Sequence, residues 1–178
     1  MKFLVTATLF VFGVSTMSAQ EGLSSKYDEE CNCTVIENHN SDGTLSSRHE
    51  ENAAGQRHGN EVVYFPDGKI QYERNWSHGN LNGIGTHYHP NGQPYMKQHY
   101  ANGKKKGTWT FYDIDGDVTQ EIIYKDGSND GTYKYYQAGV HYLTQTLVNG
   151  VLDSEDILNL EIYNQLKEEA AAALKAGK

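Results

Sequence analysis

The sequence predicts a mainly β protein: an elongated single-layer antiparallel sheet of tandem 24-residue hairpin repeats, closed by a C-terminal amphipathic helix. Three observations predict it. Gly59, Gly83, Gly107 and Gly131 recur at a constant spacing of 24 residues. Tyr64, Tyr88, Tyr112 and Tyr136 each follow five residues behind one of those glycines. Finally, Asp67-Gly68, Asn91-Gly92 and Asp115-Gly116 cut the first three periods into two short runs, and Gly139 closes the fourth after a one-residue deletion. A fixed period of this length is the mark of a repeat array, in which each unit buries its apolar side chains only against its neighbours.

The chain has 178 residues and opens on a segment that is not part of this pattern. Lys2, an apolar run through Val14 and a small-residue ending at Ser18-Ala19 have the form of a secretory signal peptide over residues 1–19. An apolar core of about ten residues is too short to cross a bilayer, which needs roughly 20. No Cys follows closely enough for lipid attachment, so a free mature chain from Gln20 is expected, with no transmembrane segment after processing. Loss of Lys2 takes the net charge from −8 to −9. An acidic surface argues against nucleic acid, whose phosphates require a basic one. The triplet Lys104-Lys105-Lys106 is read as a solvated hairpin tip.

Residues 20–33 read as a linker carrying Cys31 and Cys33. In an oxidising compartment these two can pair with each other or with another chain. A zinc site usually needs a second such pair, which the sequence lacks. Residues 34–58 read as a degenerate capping repeat, with Val35-Ile36 and Leu45 placed around Asp42-Gly43.

Four hairpin repeats are expected over residues 59–150. Asp-Gly and Asn-Gly suit a two-residue type I′ turn. Pairing the strands through Asp67-Gly68 sets Phe65 against Ile70 and Val63 against Tyr72. Side chains alternate along a strand, so Val63, Phe65, Ile70, Tyr72 and Trp76 share one face. Translated by 48 residues, the same rule groups Trp109, Phe111, Val118, Ile122 and Tyr124. In the fourth unit it groups Tyr133, Tyr135, His141, Leu143 and Leu147. The opposite, more polar face receives Tyr64, Tyr88, Tyr112 and Tyr136, with Tyr95 beside them. At about 4.8 Å per strand, each unit should advance the sheet by roughly 10 Å.

From residue 151 onward the period changes to 3.6. Leu158, Ile162, Leu166, Ala170 and Leu174 form one stripe, Asp153 or Ser154 can cap its start, and Lys175 suits its end. A helix over 151–178 is expected to cover part of the apolar face or its C-terminal edge.

The units resemble the MORN repeat, in the variant found in bacterial proteins labelled antitoxin-like. The residues that carry the resemblance are Gly107-Thr108-Trp109-Thr110-Phe111-Tyr112, Asp115-Gly116 and the linking segments. Those segments are Tyr100-Ala101-Asn102-Gly103-Lys104-Lys105-Lys106-Gly107 and Tyr124-Lys125-Asp126-Gly127-Ser128-Asn129-Asp130-Gly131. The likeness covers about residues 55 to 150. It implies a hairpin array that binds rather than catalyses, without a fixed set of functional residues.

Catalytic motifs are missing: there is no Gly-x-Ser-x-Gly elbow, no phosphate-binding loop with Lys and no His-Glu-x-x-His. The chain is read as a non-enzyme without a cofactor. His87 and His89 on one strand are weak metal candidates, lacking a third ligand on the partner strand. The recurring tyrosines can either stack on sugar rings or grip a peptide, or serve as cross-strand pairs that stabilise the sheet. A protein partner in the bacterial envelope or outside the cell is the leading expectation. Polysaccharide binding through the tyrosine row and neutralisation of a toxin are the alternatives. The exposed edge strand also admits a homodimer.

Overall fold

The structure is a computed structural model that describes residues 22–125, 127 and 130–176. The signal peptide expected over residues 1–19 lies outside them.

Fourteen strands among the described residues form one antiparallel sheet in which the long strands follow one another in chain order, while the two-residue strands β6 and β9 pair with β5 and β8. β1 (Leu23–Asp28), β2 (Cys33–His39) and β3 (Leu45–Glu51) precede the repeats. The first repeat supplies β4 (Arg57–Tyr64) and β5 (Ile70–Ser77). The second supplies β6 (Asn80–Leu81), β7 (Gly83–Tyr88) and β8 (Pro94–Ala101). The third supplies β9 (Lys104–Lys105), β10 (Gly107–Tyr112) and β11 (Val118–Tyr124). The fourth supplies β12 (Gly131–Gln137) and β13 (Val140–Val148). β14 (Val151–Ile157) is the last strand, and α1 (Leu160–Lys175) follows. No helix among the described residues is long and apolar enough to cross a membrane.

Two kinds of turn alternate. Within the first three repeats the turn is wider than the expected two-residue form. Gly68 N–H donates to the Phe65 carbonyl at 2.9 Å, and Phe65 N–H to the Lys69 carbonyl at 2.8 Å. The same pair of bonds closes 89–93 and 113–117. Gly68 has φ +84°, whereas Asp67 is not among the residues at positive φ. Negative φ at the second position, held by Pro66 and Pro90 and adopted by Ile114, suits a type I turn, and the glycine then closes a bulge. The two-residue form appears between repeats, where both central residues have positive φ: His78-Gly79, Asn102-Gly103 and Asn149-Gly150. The deletion in the fourth repeat converts its turn to this form at Ala138-Gly139.

The bulges correct the expected faces. Val63 pairs with Tyr72 as expected, but after a register shift Tyr64, not Phe65, pairs with Ile70. The same shift sets Tyr112 against Val118 and Tyr136 against His141. Ile70, Val118 and His141 therefore leave the apolar face and join the tyrosines, while Phe65 belongs to the turn. A tryptophan face remains, with Val63, Tyr72, Trp76, Trp109, Phe111, Ile122, Tyr124, Tyr133 and Leu143. Trp109, Ile122 and Leu143 are buried there. Val62 and Thr86 are buried on the opposite tyrosine face.

The lead glycines serve two needs. Gly59, Gly83 and Gly107 take positive φ where the strand breaks step. Gly131 does not; instead, a Cβ there would collide with the Ile123 carbonyl of the neighbouring strand. Because the obstacle is backbone, Gly131→Ala is expected to cost about 1–3 kcal/mol, read as a lower midpoint in urea unfolding.

Both ends differ from expectation. Part of the 20–33 segment read as a linker is a strand, since β1 pairs with β2 over six residues, from Leu23↔Asn38 to Asp28↔Cys33. The helix begins at Leu160, not near Asp153, because 151–157 pairs with β13 as β14. Asn159 caps it, its side chain accepting from Ile162 N–H at 3.1 Å. None of its residues is buried; Ile162, Tyr163 and Leu166 are half-buried and the last turns are exposed. It touches β13 and β14 and leaves most of the tryptophan face without a second layer among the described residues.

Candidate functional site

The tyrosine row exists, and its members are engaged within the chain. Tyr88 donates its hydroxyl to Glu73 Oε1 at 2.5 Å, and Tyr136 donates to Glu121 Oε2 at 2.7 Å. These two bonds are equivalent under translation by 48 residues. The third repeat replaces the carboxylate with Lys97, whose ammonium lies 5.7 Å from the Tyr112 ring centroid. Tyr64 faces Ile70 across the strand pair. Tyr95 falls at a bulge rather than in the row, with its ring edge-on to His89 at 5.2 Å and to Phe111 at 6.4 Å. The His141 ring stacks on Tyr136 at 5.0 Å. These contacts are the cross-strand pairs expected to stabilise a sheet.

Burial pushes the Tyr136 phenol up to about 12, reinforced by its bond to Glu121 and by the carboxylate charge. Tyr88 is raised for the same reasons, burial first and Glu73 second. The fold thus favours the neutral phenol. Its stabilising effect is complete below the ordinary tyrosine value of 10.0 and is lost as pH rises through about 12. Ultraviolet titration should find a phenol ionising near pH 12 that disappears in Tyr136→Phe. A difference spectrum centred near pH 10 would contradict the assignment.

His87 and His89 each have a separate neighbour within the fold. His87 lies on β7 beside Tyr72, ring centroids 5.2 Å apart, and burial lowers its affinity for a proton, with Arg74 adding to the effect. His89 belongs to the turn, its Nε2 3.2 Å from the Tyr112 carbonyl oxygen. Among the described residues no group of three His, Cys, Asp or Glu side chains is placed to hold a metal. Cys31 and Cys33 are joined in a disulfide with Cα atoms 5.2 Å apart, at the turn between β1 and β2.

A cluster missed in the sequence lies on the tryptophan face of the first repeat. Glu61 is buried at 4% exposure. Its carboxylate accepts from Arg57 Nη1, Arg74 Nε and Trp76 Nε1, the last at 2.8 Å. The guanidinium of Arg74 also lies 4.8 Å from the Tyr72 ring and 5.2 Å from Trp76, with Arg57 5.5 Å from Trp76. Two repeats on, the translated position of Glu61 is Trp109. There Lys105 takes the place of Arg57 and Tyr124 that of Trp76, at 4.6 Å. Trp109 packs between Tyr100 at 5.2 Å and Tyr124 at 4.9 Å. The signal for the cluster was present in Arg57, four residues before Glu61, and in Arg74, its cross-strand partner.

The geometry defines a class: a repeat-built, one-layer β-sheet in which, among the described residues, neither face carries a full second layer. Residues 57–78 and 81–102 match the family described as the MORN repeat variant, so the first two full units are repeats of that kind. That family points to a binding scaffold assembled from repeats. No curated protein matches this chain. Among solved structures, the crystal structure of accessory secretory protein 1, 2 and 3 in Streptococcus pneumoniae is similar with a TM-score of 0.26 and 10% identity. The similarity covers 70% of this chain, which spans 21% of that one.

Proposed function

We propose that this chain is a non-catalytic scaffold that binds a protein partner through its sheet, in the bacterial envelope or outside the cell. The observation that carries the reading is the uncovered tryptophan face. A sheet normally buries one face beneath another layer, but here α1 lies against β13 and β14 at the far end. The residues from Tyr72 to Tyr135 along that face form an aromatic strip in which most side chains are half-buried. Aromatic side chains supply large contact area at low entropic cost. The charged groups nearest to catalytic chemistry, Glu61, Glu73 and Glu121, are spent on arginine, tryptophan and tyrosine partners within the fold.

The test is affinity capture from the envelope and medium of the producing organism, with residues 20–178 as bait. One stoichiometric protein should be retained by the wild-type chain and lost with Tyr135→Ala on the strip. Retention of polysaccharide fractions alone would replace this reading with glycan binding. Capture of a toxin whose activity falls on binding would give the scaffold a neutralising role.

A further inference from the structure

We propose that copies of this chain associate head to tail, the edge strand β14 of one pairing with the edge strand β1 of the next, so that their sheets continue as an open filament. The proposal goes beyond the scaffold reading and concerns the chain from residue 20, the exported form of that reading.

Direction permits the contact. The path from β1 to β14 holds twelve strands, and among the described residues no further strand lies outside either end. Each strand on the path is antiparallel to its neighbours, as β1 is to β2 and β13 to β14. With an even number of alternating strands, β1 and β14 run in opposite directions. A second copy laid in line therefore adds an antiparallel strand pair.

Register follows from the sheet itself. One cross-strand ladder on the tryptophan face crosses the whole array, from Leu23 on β1 through Val63, Phe111 and Leu143 to Ile157 on β14. In-line addition sets Ile157 against Leu23 of the next copy. These two apolar side chains are 41% and 39% exposed, and pairing takes both out of water. On the opposite face the same register sets Ser154 against Lys26 and Asp156 against Ser24 of the next copy. Lys26 then lies diagonal to Asp156, within reach of a long side chain.

Charge selects the partner edge. All seven residues of β14 are exposed, and the strand contains neither proline nor lysine, the residues that commonly blunt an edge. The chain beyond it turns back over the sheet, since the N–H groups of Leu158 and Asn159 both donate to the Tyr142 carbonyl. β14 carries Asp153, Glu155 and Asp156, so two copies of it would set acid beside acid. β1 brings Lys26 instead. A heterologous contact of this kind does not close on itself and grows as a filament. A pair of strands six and seven residues long is a small contact beside the roughly 1,200–2,000 Å² of stable complexes. Association is therefore weak, and dilute chains keep both edges open.

Sedimentation velocity of residues 20–178 from roughly 1 µM to 1 mM, the range of weak affinities, tests the proposal. A weight-average mass that passes the dimer value and keeps rising is expected. Two variants block one edge each: Leu23→Glu/Lys26→Glu on β1 and Ile157→Glu on β14. All three side chains are exposed, and circular dichroism verifies that the variants keep their sheet. Each variant alone should stay monomeric. Their equimolar mixture should form a pair that grows no further, because each supplies the edge the other lacks. A wild type monomeric throughout, a plateau at the dimer, growth by either variant alone, or a monomeric mixture overturns the proposal. If the wild type fails to grow yet still captures a protein partner, the assembly falls and the scaffold reading stands. Growth without any captured protein gives the reverse.

Discussion

Replacing Trp109 by alanine is expected to lower the melting temperature by about 10 °C. Truncating a buried tryptophan costs about 3–5 kcal/mol, and each kcal/mol shifts a chain of this size by about 2–4 °C. Trp109 is 6% exposed, donates its Nε1 hydrogen to the His99 carbonyl at 3.1 Å, and fills the space between two tyrosine rings and Lys105. Its position adds to the effect. In an array where units rest only on their neighbours, loosening a central unit separates the two halves. Phe111→Ala should do less, because that ring is half-buried and touched edge-on by Tyr95. If Trp109→Ala melted with the wild type, the tryptophan face would not be the sheet's core.

The second large effect is expected at Glu61. Glu61→Ala removes the acceptor shared by two guanidiniums and an indole. Breaking a buried pair from one side typically costs about 3–5 kcal/mol. Here Arg57 and Arg74 keep 38% and 30% of their side-chain surface exposed and regain water, so about 2 kcal/mol is expected. Thermal unfolding should show a loss of roughly 5 °C, with Glu61→Gln falling between, since an amide oxygen still accepts one bond. A Glu61→Ala chain as stable as wild type would mean that the cluster contributes nothing net. The translated position in the third repeat is apolar, so the two sites solve one packing problem by different means.

The period, the glycine spacing and the pairing of Val63 with Tyr72 were legible because turn chemistry and strand alternation are local. The register one step beyond was not. Asp-Gly is compatible with two turn geometries, and the bulged one forms both with proline before it, at Pro66 and Pro90, and with Ile114. That bulge moved Ile70 and Val118 to the other face, and in the fourth repeat the two-residue turn at Ala138-Gly139 sets His141 against Tyr136. The start of the helix was obscured by the acidic residues Asp153, Glu155 and Asp156, which suit a first helical turn. Asn149-Gly150, equivalent to Asn102-Gly103, announced another strand. Glu61 was hidden because a single carboxylate in a strand carries no pattern of its own; only its pairing with Arg57 and Arg74 gives it meaning. The tyrosines were found by spacing, whereas their partners Glu73, Lys97 and Glu121 came from the neighbouring strand.

Among its described residues this chain is an open, one-layer array with β1 and β14 as its edge strands. Amide hydrogen exchange on residues 20–178 tests it most directly. Strands that rest on neighbours at both sides should exchange slowest, with protection greatest across β7 to β11 and falling stepwise toward β1 and β14. Uniform protection that included both edge strands would mean that another surface already covers them, and would contradict the open scaffold.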